Sequence, residues 1–129
     1  MKILQINSTV NTGSTGRITE DIGKALIAAG HESYIAFGRG NPNSNSRLLR
    51  IGTKLDLYFH VIRSYITDRH GFGSRKATKL FLKQVDLINP DVIGLHNIHG
   101  YYINVEILFA YIKEKNIPVL WTFHDCWPF

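Results

Sequence analysis

A chain of 129 residues has the length of one domain. At 44% hydrophobic and 19% charged residues it carries enough apolar material for a core and is too apolar for a disordered tail. The formal charge of +5 is uneven: residues 39–83 hold ten basic side chains against two acidic ones, a local +8, which leaves −3 for the rest. A lone Cys126 excludes an internal disulfide and favours a reducing compartment. The apolar start at Met1 breaks at Asn7, and no run approaches the ~18 apolar residues that span a bilayer. The expectation is a soluble, cytoplasmic domain with one basic segment that meets a partner or a surface.

Residues 2–7 (KILQIN) read as a buried strand, followed by a polar, glycine-containing turn over 8–15. From Gly16 the apolar positions Ile18, Ile22, Ala25, Leu26 and Ala29 share a helical face, which predicts the buried stripe of a first helix. Glu20 and Asp21 fall in its early turns, suited to the positive end of the helix dipole, and Gly30 is a natural terminator. Residues 33–37 (SYIAF) make a second strand, so the opening is a βαβ unit. Residues 38–53 read as a loop with Pro42, three asparagines and a short strand at 48–51. A helix is predicted over 54–67, with Leu55, Tyr58, Phe59, Ile62, Tyr65 and Ile66 as its apolar stripe. The pattern breaks at 68–73, Ser74 is placed as an N-cap, and a helix over 75–89 stops at Pro90. A strand at 91–96 (DVIGLH) leads to a helix over 103–116, with Val105, Leu108, Phe109 and Ile112 inward. A last strand covers 118–123 (PVLWTF). These elements predict a doubly wound, Rossmann-like α/β domain with strand order 3-2-1-4-5.

In such sheets ligands bind beyond the carboxyl ends of the strands. Three polar clusters land there. Gly13, Ser14, Thr15 and Gly16 lie between the first strand and first helix, where glycines let backbone amides approach an anion. As a dinucleotide fingerprint the turn is incomplete, and Gly38-Arg39 stands where an acidic residue would bind a ribose. The other two clusters are His96-Asn97-Ile98-His99-Gly100-Tyr101-Tyr102 and His124-Asp125, each directly after a strand. Histidine with carboxylate serves metal binding, acid–base work or recognition of a polyol; each histidine taken singly serves equally as a structural cap. The spacing matches no zinc signature. Lys76, Lys79 and Lys83 share a helix face that reads as solvated. Arg63, Arg69, Arg75 and a Gly-flanked Phe72 would suit an anionic membrane surface, and no nucleic-acid-binding motif is present.

Taken together, the strand 2–7, the Gly13/Gly16 turn, the segment His70-Gly71-Phe72-Gly73-Ser74-Arg75-Lys76-Ala77-Thr78, the run from Asn89 to Tyr102 and the closing Thr122-Phe123-His124-Asp125-Cys126-Trp127-Pro128-Phe129 resemble the N-terminal domain of bacterial family 4 glycosyltransferases, in the capsule and exopolysaccharide branch. The resemblance implies the GT-B arrangement, in which two Rossmann-like domains face each other across the active site and sugar passes from a nucleotide-sugar donor with retention. It implies that this domain, 1–129, is the acceptor side, and that the nucleotide-holding C-terminal domain with its paired glutamates lies outside this chain. A chain that stops beside its own cleft motif is expected to fold and to be inactive alone.

On that resemblance, Gly13, Ser14, Thr15 and Gly16 approach the donor phosphates. His124 faces the transferred sugar, with Asp125 orienting it or bonding the acceptor. His96, Asn97, His99 and Tyr101 line the acceptor side. Arg69, Arg75 and Lys76 recognise a glycan or lipid-linked anionic acceptor, or the membrane. No metal and no cofactor beyond the nucleotide-sugar is expected, and no nucleic acid. Two other readings stay open: a stand-alone flavodoxin-like nucleotide- or anion-binding module, and a metal-dependent hydrolase built on His96, His99, His124 and Asp125.

Overall fold

The computed structural model describes residues 1–40, 43–52 and 74–126. The predicted helix over 54–67, together with Arg63, Arg69 and Phe72, and the final Trp127-Pro128-Phe129 lie outside the described residues. The elements are β1 (Lys2–Val10), α1 (Gly13–Ala28), β2 (Glu32–Gly40), β3 (Arg47–Arg50), α2 (Arg75–Ile88), β4 (Val92–Leu95), α3 (Val105–Lys115) and β5 (Val119–Trp121). The five strands form one parallel sheet in the order β3-β2-β1-β4-β5, as the sequence predicts. Chain order reverses between β1 and β4, so the crevice that doubly wound sheets use for ligands lies at their carboxyl ends.

Side chains alternate across the pleat, and the two faces differ. On one face Leu4 and Ile6 of β1, Ile93 and Leu95 of β4 and Tyr34 and Ala36 of β2 form an apolar core with Phe81, Leu82 and Val85 of α2 and Leu108 and Ile112 of α3. The other face of β1 presents Gln5 and Asn7, both buried, to α1.

Here the sequence expectation fails. The helix α1 does not bury the Ile18 stripe: Ile18 and Ile22 are 40% and 39% exposed, and Ala25 and Ala29 are exposed as well. It buries Gly16, Thr19, Glu20 and Gly23, which have the same helical spacing. The cause is close approach. A Cβ at Gly23 would stand 2.3 Å from Ser46 Oγ, and one at Gly16 would stand 2.9 Å from Thr9 Oγ1, so only the small-residue stripe lets the helix lie down on the sheet. The buried polar groups are satisfied: Thr19 Oγ1 donates to the Gly16 carbonyl at 2.9 Å, and Glu20 accepts from the Ser44 hydroxyl and from the Asn45 amide at 3.1 Å. Because α1 starts at Gly13, its first turn contains no acid, and Glu20 and Asp21 lie beyond it.

The helix α2 buries Ala77, Thr78, Phe81, Leu82 and Val85 and leaves Lys76, Lys79 and Lys83 exposed, the solvated face expected of them. It ends at Asn89, whose φ of 50° is left-handed, just before Pro90. Ser74 stands at the N-cap but is left-handed (φ 52°) and does not cap the helix; its hydroxyl donates to the Tyr101 carbonyl at 3.4 Å. The true side-chain cap belongs to α3, where Asn104 Oδ1 accepts from the Ile107 amide at 3.0 Å. The Asn104 amide in turn donates to Thr78 Oγ1 at 2.8 Å and ties α3 to α2. Phe109, predicted to point inward, is 37% exposed and packs on Trp121 with ring centroids 5.4 Å apart. Among the described residues no helix is long and apolar enough to cross a membrane.

Candidate active site at the carboxyl ends of the strands

The strand β1 runs three residues further than its apolar run, and α1 begins three residues earlier than Gly16. Gly13, Ser14, Thr15 and Gly16 are therefore the first turn of the helix rather than a loop before it. Gly13 has a φ of +68°, a conformation in which a side chain is strained. A Cβ at Gly16 would also come within 3.2 Å of the Asn11 backbone nitrogen, so the glycine brings the helix start against the end of β1. With no acid in that turn, the amides and the positive end of the helix dipole meet no built-in carboxylate there.

Asn7 joins this turn to the loop after β4. Its Nδ2 donates to the Thr9 carbonyl at 2.9 Å and to Thr15 Oγ1 at 3.5 Å, while its Oδ1 accepts from the Asn97 amide at 3.2 Å. The Asn97 carbonyl accepts from the Tyr102 hydroxyl at 2.9 Å, so the backbone of Asn97 is held on both sides. Its side chain, half-buried, makes no hydrogen bond to the described residues. Burial pushes the Tyr102 phenol above its ordinary value, with Arg39 opposing the shift. Tyr102 occupies the space over Gly38, where a Cβ would meet the tyrosine Cβ at 2.3 Å.

The loops after β4 and β5 are joined by two pairs. His96 Nδ1 and His124 Nε2 are 3.0 Å apart. Their ring planes lie within 21° and their centroids 5.3 Å apart, the spacing of an edge-to-edge bond rather than of rings stacked face to face. His99 Nε2 and Asp125 Oδ2 are 2.7 Å apart, and both side chains are partly exposed. The Trp121 indole Nε1 donates to the His96 carbonyl at 3.3 Å and fixes the β4 end against β5. His96 is only 5% exposed, and its other nitrogen, Nε2, lies 3.2 Å from Gln5 Oε1. Burial, reinforced by the neighbouring His124, lowers the His96 pKa to about 4, so this ring is neutral at pH 7. Among the described residues no three His, Cys, Asp or Glu side chains converge as a metal-ion set. The four that the sequence grouped meet two by two.

His124, Asp125, His99, His96 and Asn97 thus come together, and Asn7 connects them to Gly13–Gly16. Tyr101 has a φ of 64°, and its carbonyl accepts from the Ser74 hydroxyl at the start of α2, where Arg75 and Lys76 are exposed. Lys76 also lines a separate cavity of about 370 Å³ with Arg50, Leu80, Phe81 and Gln84. Arg69 lies outside the described residues. Two residues of the site, Gln5 and Asn7, were not singled out from the sequence. Their signal was a pair of amides two apart, hence on one face, inside an otherwise apolar strand.

A comparison with curated proteins finds no match. A family model described as Glycosyltransferase Family 4 matches residues 15–129, nearly the whole chain, including His96, His99, His124 and Asp125. The chain belongs to Glycosyltransferase Family 4, and its parallel five-stranded sheet with flanking helices is the α/β fold of a glycosyltransferase domain.

Proposed function

We propose that this domain is the acceptor side of a retaining GT-B enzyme that transfers a sugar from a nucleotide-sugar donor to a glycan or lipid-linked acceptor in capsule or exopolysaccharide biosynthesis. The family match over residues 15–129 carries the reading. It is supported by the clustering of imidazoles and a carboxylate at the carboxyl ends of β4 and β5, next to the point where the strand order reverses.

Each part has a chemical task. The first-turn amides of Gly13, Ser14, Thr15 and Gly16 approach the donor phosphates, where fixed dipoles stabilise the leaving diphosphate. His124 hydrogen-bonds the transferred sugar, and Asp125, paired with His99, orients the rim around it. Asn97, His99 and Tyr101 line the acceptor side, and His96 contributes from behind through His124. Arg69, Arg75 and Lys76 attract an anionic acceptor or the inner face of the cell membrane. The mechanism calls on no metal and no cofactor besides the donor, and the enzyme works in the cytoplasm. Transfer needs both substrates held in a closed, water-poor site, so a second Rossmann-like domain must face this one.

The test is incubation of the two-domain enzyme with a panel of radiolabelled nucleotide-sugars and a membrane-lipid and polysaccharide extract. Sugar incorporation from one donor with retained anomeric configuration is expected, with none from the 129-residue chain alone. Inverted product, or full turnover by the 129-residue chain, would contradict the reading.

A further inference from the structure

We propose that Gln5 and His96 are positioning residues that hold His124 as the tautomer protonated at Nε2, so that substrate meets His124 only at Nδ1. The catalytic consequence rests on the proposal that His124 faces the sugar; the tautomer itself does not.

The argument starts at a backbone carbonyl. Gln5 is 1% exposed, and its Nε2 lies 3.0 Å from the Thr19 carbonyl, which can only accept. The amide NH2 must therefore face Thr19; the opposite orientation would set two oxygens against each other in a buried place. That leaves Oε1 toward His96, at 3.2 Å from Nε2. An amide oxygen cannot donate, so the His96 proton sits on Nε2. The ring is buried and neutral, and its Nδ1 is left as a lone pair. His124 Nε2, 3.0 Å away, then has to supply the hydrogen. The chain of polarity runs without a gap from the Thr19 carbonyl through Gln5 and His96 to His124.

This polarity assigns the chemistry of the exposed side of His124. Neutral, it presents a lone pair at Nδ1 that accepts from a sugar hydroxyl. Protonated, it presents an N–H there that donates to an anionic oxygen. Nε2 does neither, because its hydrogen is committed to His96. No hydrogen bond to Nδ1 of His124 is made by the described residues, whereas both nitrogens of His96 are engaged.

The experiment is nitrogen-15 NMR on the histidine-labelled 129-residue chain at pH 7.5, using long-range proton–nitrogen correlation and coupling across the N–H···N bond. A correlation linking His124 Nε2 to His96 Nδ1, with the proton carried by His124, is expected. Gln5→Met keeps length and burial but removes the acceptor, and should abolish the correlation and leave His124 a mixture of tautomers. A proton on His96 Nδ1 in the unmodified protein would overturn the proposal, as would a Gln5→Met spectrum identical to it. Should Gln5→Met not fold, the position of the proton in the unmodified protein decides by itself. Failure of the sugar-transfer assay leaves this result standing, so the two readings fail separately.

Discussion

The two faces of the sheet are equally dry and chemically opposite. Toward α2 and α3 the buried side chains are aliphatic and aromatic, with Leu4, Ile6, Phe81, Ile93 and Leu108 at its centre. Toward α1 they include Gln5, Asn7, Thr19, Glu20 and Ser33, beside a small apolar cluster of Val10, Ile35 and Phe37. Apolar contacts are non-directional, so the first face sets stability and tolerates exchange of shape. Hydrogen bonds carry direction, so the second face sets which atom of which side chain points where. The candidate site grows from the second face: Asn7 ends it at the Gly13–Gly16 turn, and Gln5 ends it at the histidine pair.

The sharpest way to break this comparison is to exchange the expected effects of the two faces. Truncating Phe81 to Ala on the apolar face should cost about 4 kcal/mol in denaturant unfolding, the usual range for a fully buried aromatic ring. Acid should act through the other face. Above pH 6.5 His96 is neutral folded or unfolded; below it the unfolded chain takes a proton that the folded chain, with His96 at about 4, refuses. Stability should therefore fall from about pH 6.5 and level off near pH 4, a loss of about 3 kcal/mol from this group, and His96→Gln should remove that part of the slope in pH-dependent unfolding. Asn7→Ala should cost about 2 kcal/mol, since it leaves the Asn97 amide and the end of β1 without their partner, and amide exchange should quicken at Asn97. Lys79→Ala, on the exposed side of α2, should change unfolding free energy by less than about 0.5 kcal/mol.

What the sequence made legible follows the same division. The strand order and the helices α2 and α3 could be read because apolar periodicity reports burial against an apolar partner. The inward side of α1 could not. Gly16, Thr19, Glu20 and Gly23 share the helical period with Ile18 and Ile22, and only the distance of the helix from the sheet decides between the stripes. Phe109 misled for a related reason: its ring packs sideways on Trp121 at the sheet edge, a contact that carries no period. At the site, the histidines and Asp125 stood out by their place after strands. Their pairing did not, because it depends on how two loops from different strands meet. For Gln5 the signal was the pair of amides on one face of β1, and that pattern says nothing about its partners until Thr19 and His96 are seen on either side.

The measurement closest to the central claim, made in the two-domain enzyme proposed above, compares His124→Ala with the unmodified protein in both initial transfer rate and unfolding free energy. His124 is partly exposed at the end of the polar face and bonds only to His96 among the described residues. A fall in rate of about 100-fold or more, with stability changed by less than about 1 kcal/mol, is the predicted result. An unchanged rate, or a rate lost only in step with unfolding, would contradict it.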